Sequence, residues 1–180
     1  MKNYKMESAY PDFKFEKATD ISPVDLKMMG VKAVAVDLDN TTVAFTSVKP
    51  EEGVKEWIRQ LRASGIKVII VTNTFASRAF LISRLMGNVP FLPWAFKPNT
   101  YALKAAANIL NVDISEIAMI GDQLFTDVLS ANRVGAVSVK VEPIGEKPFF
   151  SSYYEKKREL ERLYMEQYES DLGMVKYGAI

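Results

Sequence analysis

Short apolar runs alternate along this chain with longer segments in which apolar residues return every three or four positions. Residues 31–36, 67–71, 89–92, 117–120 and 136–141 are brief, mostly rich in valine, isoleucine and alanine, and bounded by glycine, proline or polar clusters, which predicts five strands. Between them Val54, Trp57, Ile58 and Leu61 recur at helical spacing after Pro50 and stop at Gly65. Phe80, Leu81 and Leu85 do the same over residues 77–86, with Gly87-Asn88 as the stop, and residues 101–110 and 125–134 predict two further helices. Strands that alternate with helices make βαβ units, and continuous apolar runs suit strands covered on both faces. The expected fold is therefore α/β, a doubly wound, Rossmann-like and mostly parallel sheet with helices on both faces.

Residues 31–145 hold this domain; residues 1–30 read as an N-terminal extension packed on the core, and residues 146–180 as a C-terminal helical extension. Within the latter, residues 153–171 form a charge-rich helical pattern whose Leu160, Leu163, Tyr164 and Tyr168 predict a narrow apolar stripe laid on the domain. With 180 residues, 48% of them hydrophobic, the chain suits one domain with a substantial core.

Charge and composition narrow the chemistry. A formal charge of +1 gives no global attraction to nucleic acid or to an anionic membrane, so nucleic acid is not an expected partner and any such contact must be local. The absence of cysteine removes disulfides, thiolate metal sites and thiol nucleophiles, and fits a reducing compartment. The absence of histidine removes the serine–histidine and cysteine–histidine mechanisms, histidine-ligated zinc and a histidine general base. Carboxylates, lysine and hydroxyls must carry any catalysis. Residues 1–15 lack the apolar core of a signal peptide and no run approaches a spanning helix, so the chain reads as cytoplasmic.

Polar residues follow four of the predicted strands: Asp37 and Asp39 the first, Thr72 and Asn73 the second, Lys97 the third, Asp122 and Asp127 the fourth. Taken singly, each has an ordinary explanation. Asp37 can cap a turn, Asp39-Asn40 can form an Asx-turn, Thr72 can cap a helix and Lys97 can lie on the surface. In a parallel sheet, however, all strand carboxyl ends face one crevice, so residues spread over ninety positions converge there. Two aspartates beside an apolar strand also need solvent, hydrogen bonds or a cation.

In this order the motifs resemble the haloacid dehalogenase superfamily of aspartate-nucleophile phosphohydrolases: Asp37-Leu38-Asp39-Asn40-Thr41, then Thr72, then Lys97, then Gly121-Asp122-Gln123-Leu124-Phe125-Thr126-Asp127. The resemblance covers residues 31–141. It implies that Asp37 attacks phosphorus to form an aspartyl-phosphate, and that Asp39 is the general acid and base. It further implies Mg²⁺ held by Asp37, the Asp39 carbonyl and Asp122, with Asp127 behind them holding a metal-bound water or the lysine. Thr72 and the Asn73 amide would bind the phosphoryl oxygens, and Lys97 would neutralise the charge shared by Asp37 and the phosphoryl group.

The spacings from Asp39 to Thr72 and from Thr72 to Lys97 leave room for no cap domain. An open site suits a large substrate or closure by a neighbouring subunit in a homo-oligomer. Asp-Leu-Asp-Asn-Thr, Asn132-Arg133-x-Gly135 and Val141-Glu142-Pro143-Ile144 are similar to the phosphatidylglycerophosphate phosphatase branch, which implies a lipid-linked phosphate monoester as substrate. Lys147-Pro148-Phe149-Phe150, Tyr153-Tyr154 and Lys156-Lys157-Arg158 would then offer a peripheral membrane contact, against the plainer reading of an aromatic hinge before a solvated helix. Two alternatives stand beside this: a phosphatase for soluble sugar phosphates, nucleotides or phosphoproteins, and a non-catalytic metal-binding docking module.

Overall fold

The computed structural model describes residues 8–145 and 151–172. Six strands, β1 (Phe13–Phe15), β2 (Ala33–Val36), β3 (Lys67–Val71), β4 (Phe91–Leu92), β5 (Ile117–Gly121) and β6 (Val137–Val141), form one sheet in the order β1-β6-β5-β2-β3-β4. Every neighbouring pair is parallel. The helices are α1 (Pro23–Met28), α2 (Val54–Ala63), α3 (Ala76–Leu85), α4 (Tyr101–Leu110), α5 (Leu129–Val134) and α6 (Ser151–Leu172).

Strand side chains point alternately to opposite faces, and the central strands are apolar at both sets of positions. Val34, Val36, Val68, Ile70 and Ile120 meet Leu26 of α1, Trp57, Ile58 and Leu61 of α2, and Ile82 of α3 on one face. Ala33, Ala35, Ile69, Val71 and Met119 meet Leu103 and Ala106 of α4 and Ala131 of α5 on the other. This is the doubly wound parallel sheet that the pattern predicts.

The sheet has one strand more than the five expected. Phe13–Phe15 comes from the N-terminal segment and pairs with β6, Phe13 opposite Val139. Its register is fixed by Asp12 and Ser138: the Ser138 N–H donates to Asp12 Oδ2 at 2.9 Å, and the Asp12 N–H donates to Ser138 Oγ at 3.0 Å. Three half-buried residues with a lysine between two phenylalanines carry no strand pattern of their own; the partner strand makes the strand.

Two helices present faces other than those their apolar residues suggest. In α3 the large residues Phe80, Leu81 and Leu85 are exposed, and Ala79, Ile82 and Ser83 turn inward. This helix packs on the two-residue edge strand β4, where small residues permit close approach, and the Ser83 hydroxyl donates to the Val89 carbonyl at 2.6 Å. In α6 the expected stripe is likewise displaced. Leu160 and Leu163 are exposed, whereas Glu161, Tyr164 and Met165 face the domain, because the surface beneath presents backbone and carboxylate groups. Tyr164 accepts from the Ala9 N–H at 3.0 Å, and Tyr168 stacks on Tyr10 with ring centroids 4.2 Å apart. The segment before β1 therefore meets α6. Lys147, Pro148, Phe149 and Phe150 lie outside the described residues, as do the side chains of Tyr153 and Tyr154. Among the described residues no helix is long and apolar enough to cross a membrane.

Candidate active site

The carboxyl ends of β2, β3 and β5 lie side by side at the centre of the sheet, where successive strands depart in opposite directions. That reversal opens a crevice at the strand ends. Asp37 follows β2, is buried, and donates its N–H to the Ile120 carbonyl of β5 at 3.0 Å. The loop beyond it is braced by two buried threonines: the Thr42 hydroxyl donates to the Asp37 carbonyl at 2.9 Å, and the Thr41 hydroxyl donates to Asp122 Oδ1 at 3.3 Å.

Lys97, only 5% exposed, is the hub. Its ammonium lies 2.9 Å from Asp37 Oδ1 and 2.7 Å from Asp127 Oδ1, and donates to the Val71 carbonyl at 2.8 Å. Two carboxylates and one carbonyl thus surround the ammonium. Asn73, expected at the phosphoryl group, has a second task, since its side chain brackets the backbone of Lys97: Oδ1 accepts from the Lys97 N–H at 2.8 Å and Nδ2 donates to the Lys97 carbonyl at 3.2 Å. Thr72 is buried beneath the same loop, and its Oγ1 accepts from the Thr74 N–H at 3.3 Å.

Asp127 sits on a π-helical turn, Leu124–Val128, a form that recurs at functional sites, and its Oδ2 accepts from the Gln123 N–H at 3.1 Å. It can occupy this position only because residue 121 is glycine: a Cβ there would lie 2.2 Å from Asp127 Cγ. Gly121→Ala is expected to push Asp127 off Lys97, to lower stability by about 1–3 kcal/mol as over-packing does, and to reduce activity sharply. Thermal melts beside turnover measurements check this, and a variant that keeps both would show that the Asp127 contact is dispensable.

Burial pushes the Asp37 carboxyl up to about 7; Lys97 pulls it down, while Asp127 and Asp122 push it further up. Burial likewise raises Asp122 to about 6, against the pull of Arg158. For Lys97 burial acts downward, yet the attraction of Asp127 and Asp37 leaves the ammonium above its usual range. The site thus holds more buried negative charge than its lysine and arginine neutralise. Asp37, Asp122 and Asp127 each offer a carboxylate oxygen, and these oxygens all lie within 4.8 Å of one another. Clustered hard oxygen donors with surplus negative charge fit a divalent cation.

A pH dependence follows. Folded-state values above the ordinary carboxylate value of 3.8 mean that the metal-free folded protein binds more protons than the unfolded chain between about pH 4 and 7, so its stability falls as pH rises through that window. A divalent cation displaces those protons, so its stabilising effect is expected to be larger at pH 8 than at pH 5. Melting curves with and without Mg²⁺ at the two pH values check the sign.

Four side chains that the sequence did not assign to the site complete it. Arg78, in the first turn of α3, pairs with Asp39 Oδ1 at 2.6 Å. A cation at the positive end of a helix dipole is unfavourable without a partner, and that is the signal by which Arg78 could have been found. From α6, Arg158 pairs with the Asp122 carboxylate and donates to the Asp122 carbonyl at 2.6 Å, Glu161 receives Arg158 at 3.0 Å and the Leu124 N–H at 3.0 Å, and Lys157 donates to the Gln123 side chain. No local pattern distinguishes these from the solvated charges around them. Part of the basic cluster expected at a membrane is thus turned onto the site.

The crevice is a cavity of about 560 Å³ lined by Asp37, Asp39, Thr72, Arg78, Lys97 and Lys157 among others. The connection from Asp39 to Thr72 contains a loop and α2, and that from Thr72 to Lys97 contains α3 and β4, so neither holds a cap.

Residues 25–135 match the haloacid dehalogenase-like hydrolase family, and the chain belongs to it. A relative in Bacillus subtilis (strain 168), the probable phosphatase YqeG, is 34% identical over 152 residues, 84% of this chain and 87% of its own. With that family and that relative, the chain is an enzyme, a hydrolase of the phosphatase class. Solved structures share the fold: the cobalt-bound deoxy-D-mannose-octulosonate 8-phosphate phosphatase of Haemophilus influenzae (TM-score 0.54, 15% identity, 78% of this chain and 90% of that one) is one. Another is a putative subfamily III A hydrolase of Legionella pneumophila (TM-score 0.52, 16% identity, 81% and 93%).

Proposed function

We propose that this protein is a Mg²⁺-dependent phosphomonoester hydrolase that works through an aspartyl-phosphate on Asp37 and converts phosphatidylglycerophosphate to phosphatidylglycerol. The observation that carries the chemistry is the placement of Lys97 between Asp37 and Asp127, beside the clustered oxygens of Asp37, Asp122 and Asp127. An Asp37 oxygen attacks phosphorus as the ester P–O bond breaks, and Asp39 protonates the departing alkoxide. Water then attacks the phosphorus of the aspartyl-phosphate, Asp39 takes its proton, and inorganic phosphate leaves with Asp37 restored. Arg78 holds Asp39 Oδ1 and so fixes the Asp39 carboxylate at the wall of the cavity. Thr72 and the Asn73 amide donate to the phosphoryl oxygens, and Lys97 offsets the charge that Asp37 and the phosphoryl group share. Asp37, the Asp39 carbonyl and Asp122 would hold Mg²⁺, with Asp127 bridging to Lys97; when bound, the ion offsets the repulsion between carboxylate and phosphate.

The lipid substrate is supported by the capless crevice and by the motifs shared with the phosphatidylglycerophosphate phosphatase branch. The test is Mg²⁺-dependent phosphate release from that lipid in mixed micelles, beside a panel of soluble sugar phosphates, nucleotides and phosphopeptides. Selective release from the lipid is the expected result. Equal release across the panel would overturn the lipid assignment and keep the phosphatase, and no release from any substrate would favour a docking module.

A further inference from the structure

The cavity opens beside an aromatic rim that the described residues leave uncovered. Trp94 and Phe96 are 52% and 70% exposed, with near-parallel rings whose centroids lie 6.4 Å apart. Phe75, a residue of the cavity wall and itself exposed, lies 6.2 Å from Trp94. The rim is anchored: the Trp94 N–H donates to the Thr74 carbonyl at 3.1 Å and the Ala95 N–H to the Thr72 carbonyl at 3.0 Å. These bonds tie it to the loop that carries the catalytic threonine.

Backbone geometry makes the aromatics conspicuous. Trp94 has φ of 50° and Phe96 of 49°, both in the left-handed region where glycine, asparagine and aspartate are at ease and a bulky side chain is strained. Local conformation therefore argues against aromatic residues at both positions, and burial does not argue for them. Strained residues beside a functional site point to a task outside the fold.

Charge indicates what they meet. Between Glu56 and Asp113 the chain runs for 56 residues without an aspartate or glutamate and carries seven basic residues, of which Arg59, Arg78 and Lys97 are paired with carboxylates outside the tract. This tract contains Phe75, Trp94, Phe96, the exposed face of α3 and the exposed Tyr101. On the side of the site, Arg78 and Lys157 line the cavity with Phe75, and Arg133 donates to the Pro98 carbonyl at 3.3 Å, two residues beyond Phe96. Exposed tryptophan and phenylalanine beside Arg133 and Lys157, which bond to a carbonyl and an amide oxygen rather than to carboxylates, complement an anionic lipid surface.

We propose that the Phe75–Trp94–Phe96 rim is the surface by which this protein docks on an anionic bilayer, its aromatic side chains entering the headgroup layer so that the cavity faces the membrane. The inference rests on the lipid-substrate reading for its purpose, and it places the membrane contact on the β4–α4 loop in addition to, or instead of, the C-terminal segment.

The test uses the whole chain with vesicles of equal parts phosphatidylcholine and phosphatidylserine, lipids that are neither substrate nor product, and with phosphatidylcholine alone. The chain has two tryptophans, and Trp57 is buried with its indole N–H donating to the Ile21 carbonyl at 2.8 Å, so Trp94 reports contact. Its emission is expected to shift to the blue with the anionic vesicles and to stay in place with the neutral ones. The double variant Trp94→Asn, Phe96→Asn should bind the anionic vesicles about tenfold more weakly, since both rings are lost from the interface. Because asparagine is suited to the left-handed backbone, the variant's melting temperature should not fall, and hydrolysis of a soluble aryl phosphate should stay within about twofold of the parent.

Emission unmoved by anionic vesicles, or a double variant that co-sediments as well as the parent, would overturn the proposal. So would a change in oligomeric mass on substitution without vesicle binding by the parent, which would make the rim a contact between copies of the chain. Vesicle docking without hydrolysis of phosphatidylglycerophosphate would keep the docking surface and remove the lipid substrate; hydrolysis in micelles without vesicle docking would do the reverse.

Discussion

Asp37→Asn is expected to lower turnover by at least about four orders of magnitude, because a neutral amide cannot take the phosphoryl group and the other carboxylate beside Lys97, Asp127, is fully buried. Loss of the fold is not the expected cause. The substitution removes a buried negative charge that already sits close to two others, so the metal-free variant should melt at a higher temperature than the parent at pH 8. The excess should shrink toward pH 5, where the parent's carboxyl is protonated. Undiminished turnover in a correctly folded variant would remove Asp37 as nucleophile, and a lower melting temperature at pH 8 would contradict the surplus of buried charge.

Lys97→Met should be damaging in both respects. Methionine fills much of the lysine's volume but leaves Asp37, Asp127 and the Val71 carbonyl without their shared donor in a buried site. Breaking a buried ion pair by deleting one partner costs about 3–5 kcal/mol, and here one cation serves two anions. The loss should be largest above pH 7 and smaller near pH 5, opposite to the pH trend of the gain in Asp37→Asn only in sign. Turnover should fall by about 10²–10³ or more from the lost charge stabilisation alone. Chemical denaturation at the two pH values, with single-turnover phosphate release, checks both parts; a variant of parental stability at pH 8 would show that Lys97 does not hold the carboxylates together.

What was legible in the sequence is what local pattern can carry. The run at residues 67–71 is β3 without adjustment, and β2 and β5 lie within a residue or two of their expected bounds. Asp37, Lys97, Asp122 and Asp127 could be placed at one edge before their contacts were known, since parallel strands all end on the same side. The failures share a cause. Phe13–Phe15 becomes a strand because β6 is there to receive it, and α3 turns Phe80 outward because the edge strand beneath it is short. Periodicity reports that a helix has an apolar stripe, but which stripe is covered depends on what lies opposite. Glu161 is a case in point: it resembles Glu159 in sequence, yet one is buried against the Leu124 N–H and the other is paired at the surface with Arg162.

The clasp between α6 and the segment before β1 bears on what counts as the working unit of this enzyme. The segment delimited by family membership, residues 25–135, omits β1, β6 and α6. A fragment cut to those limits would expose β5 as a raw sheet edge and strip Asp122 of its arginine while leaving the four superfamily motifs intact. The stretch that carries the four motifs is therefore smaller than the folded object that positions their side chains.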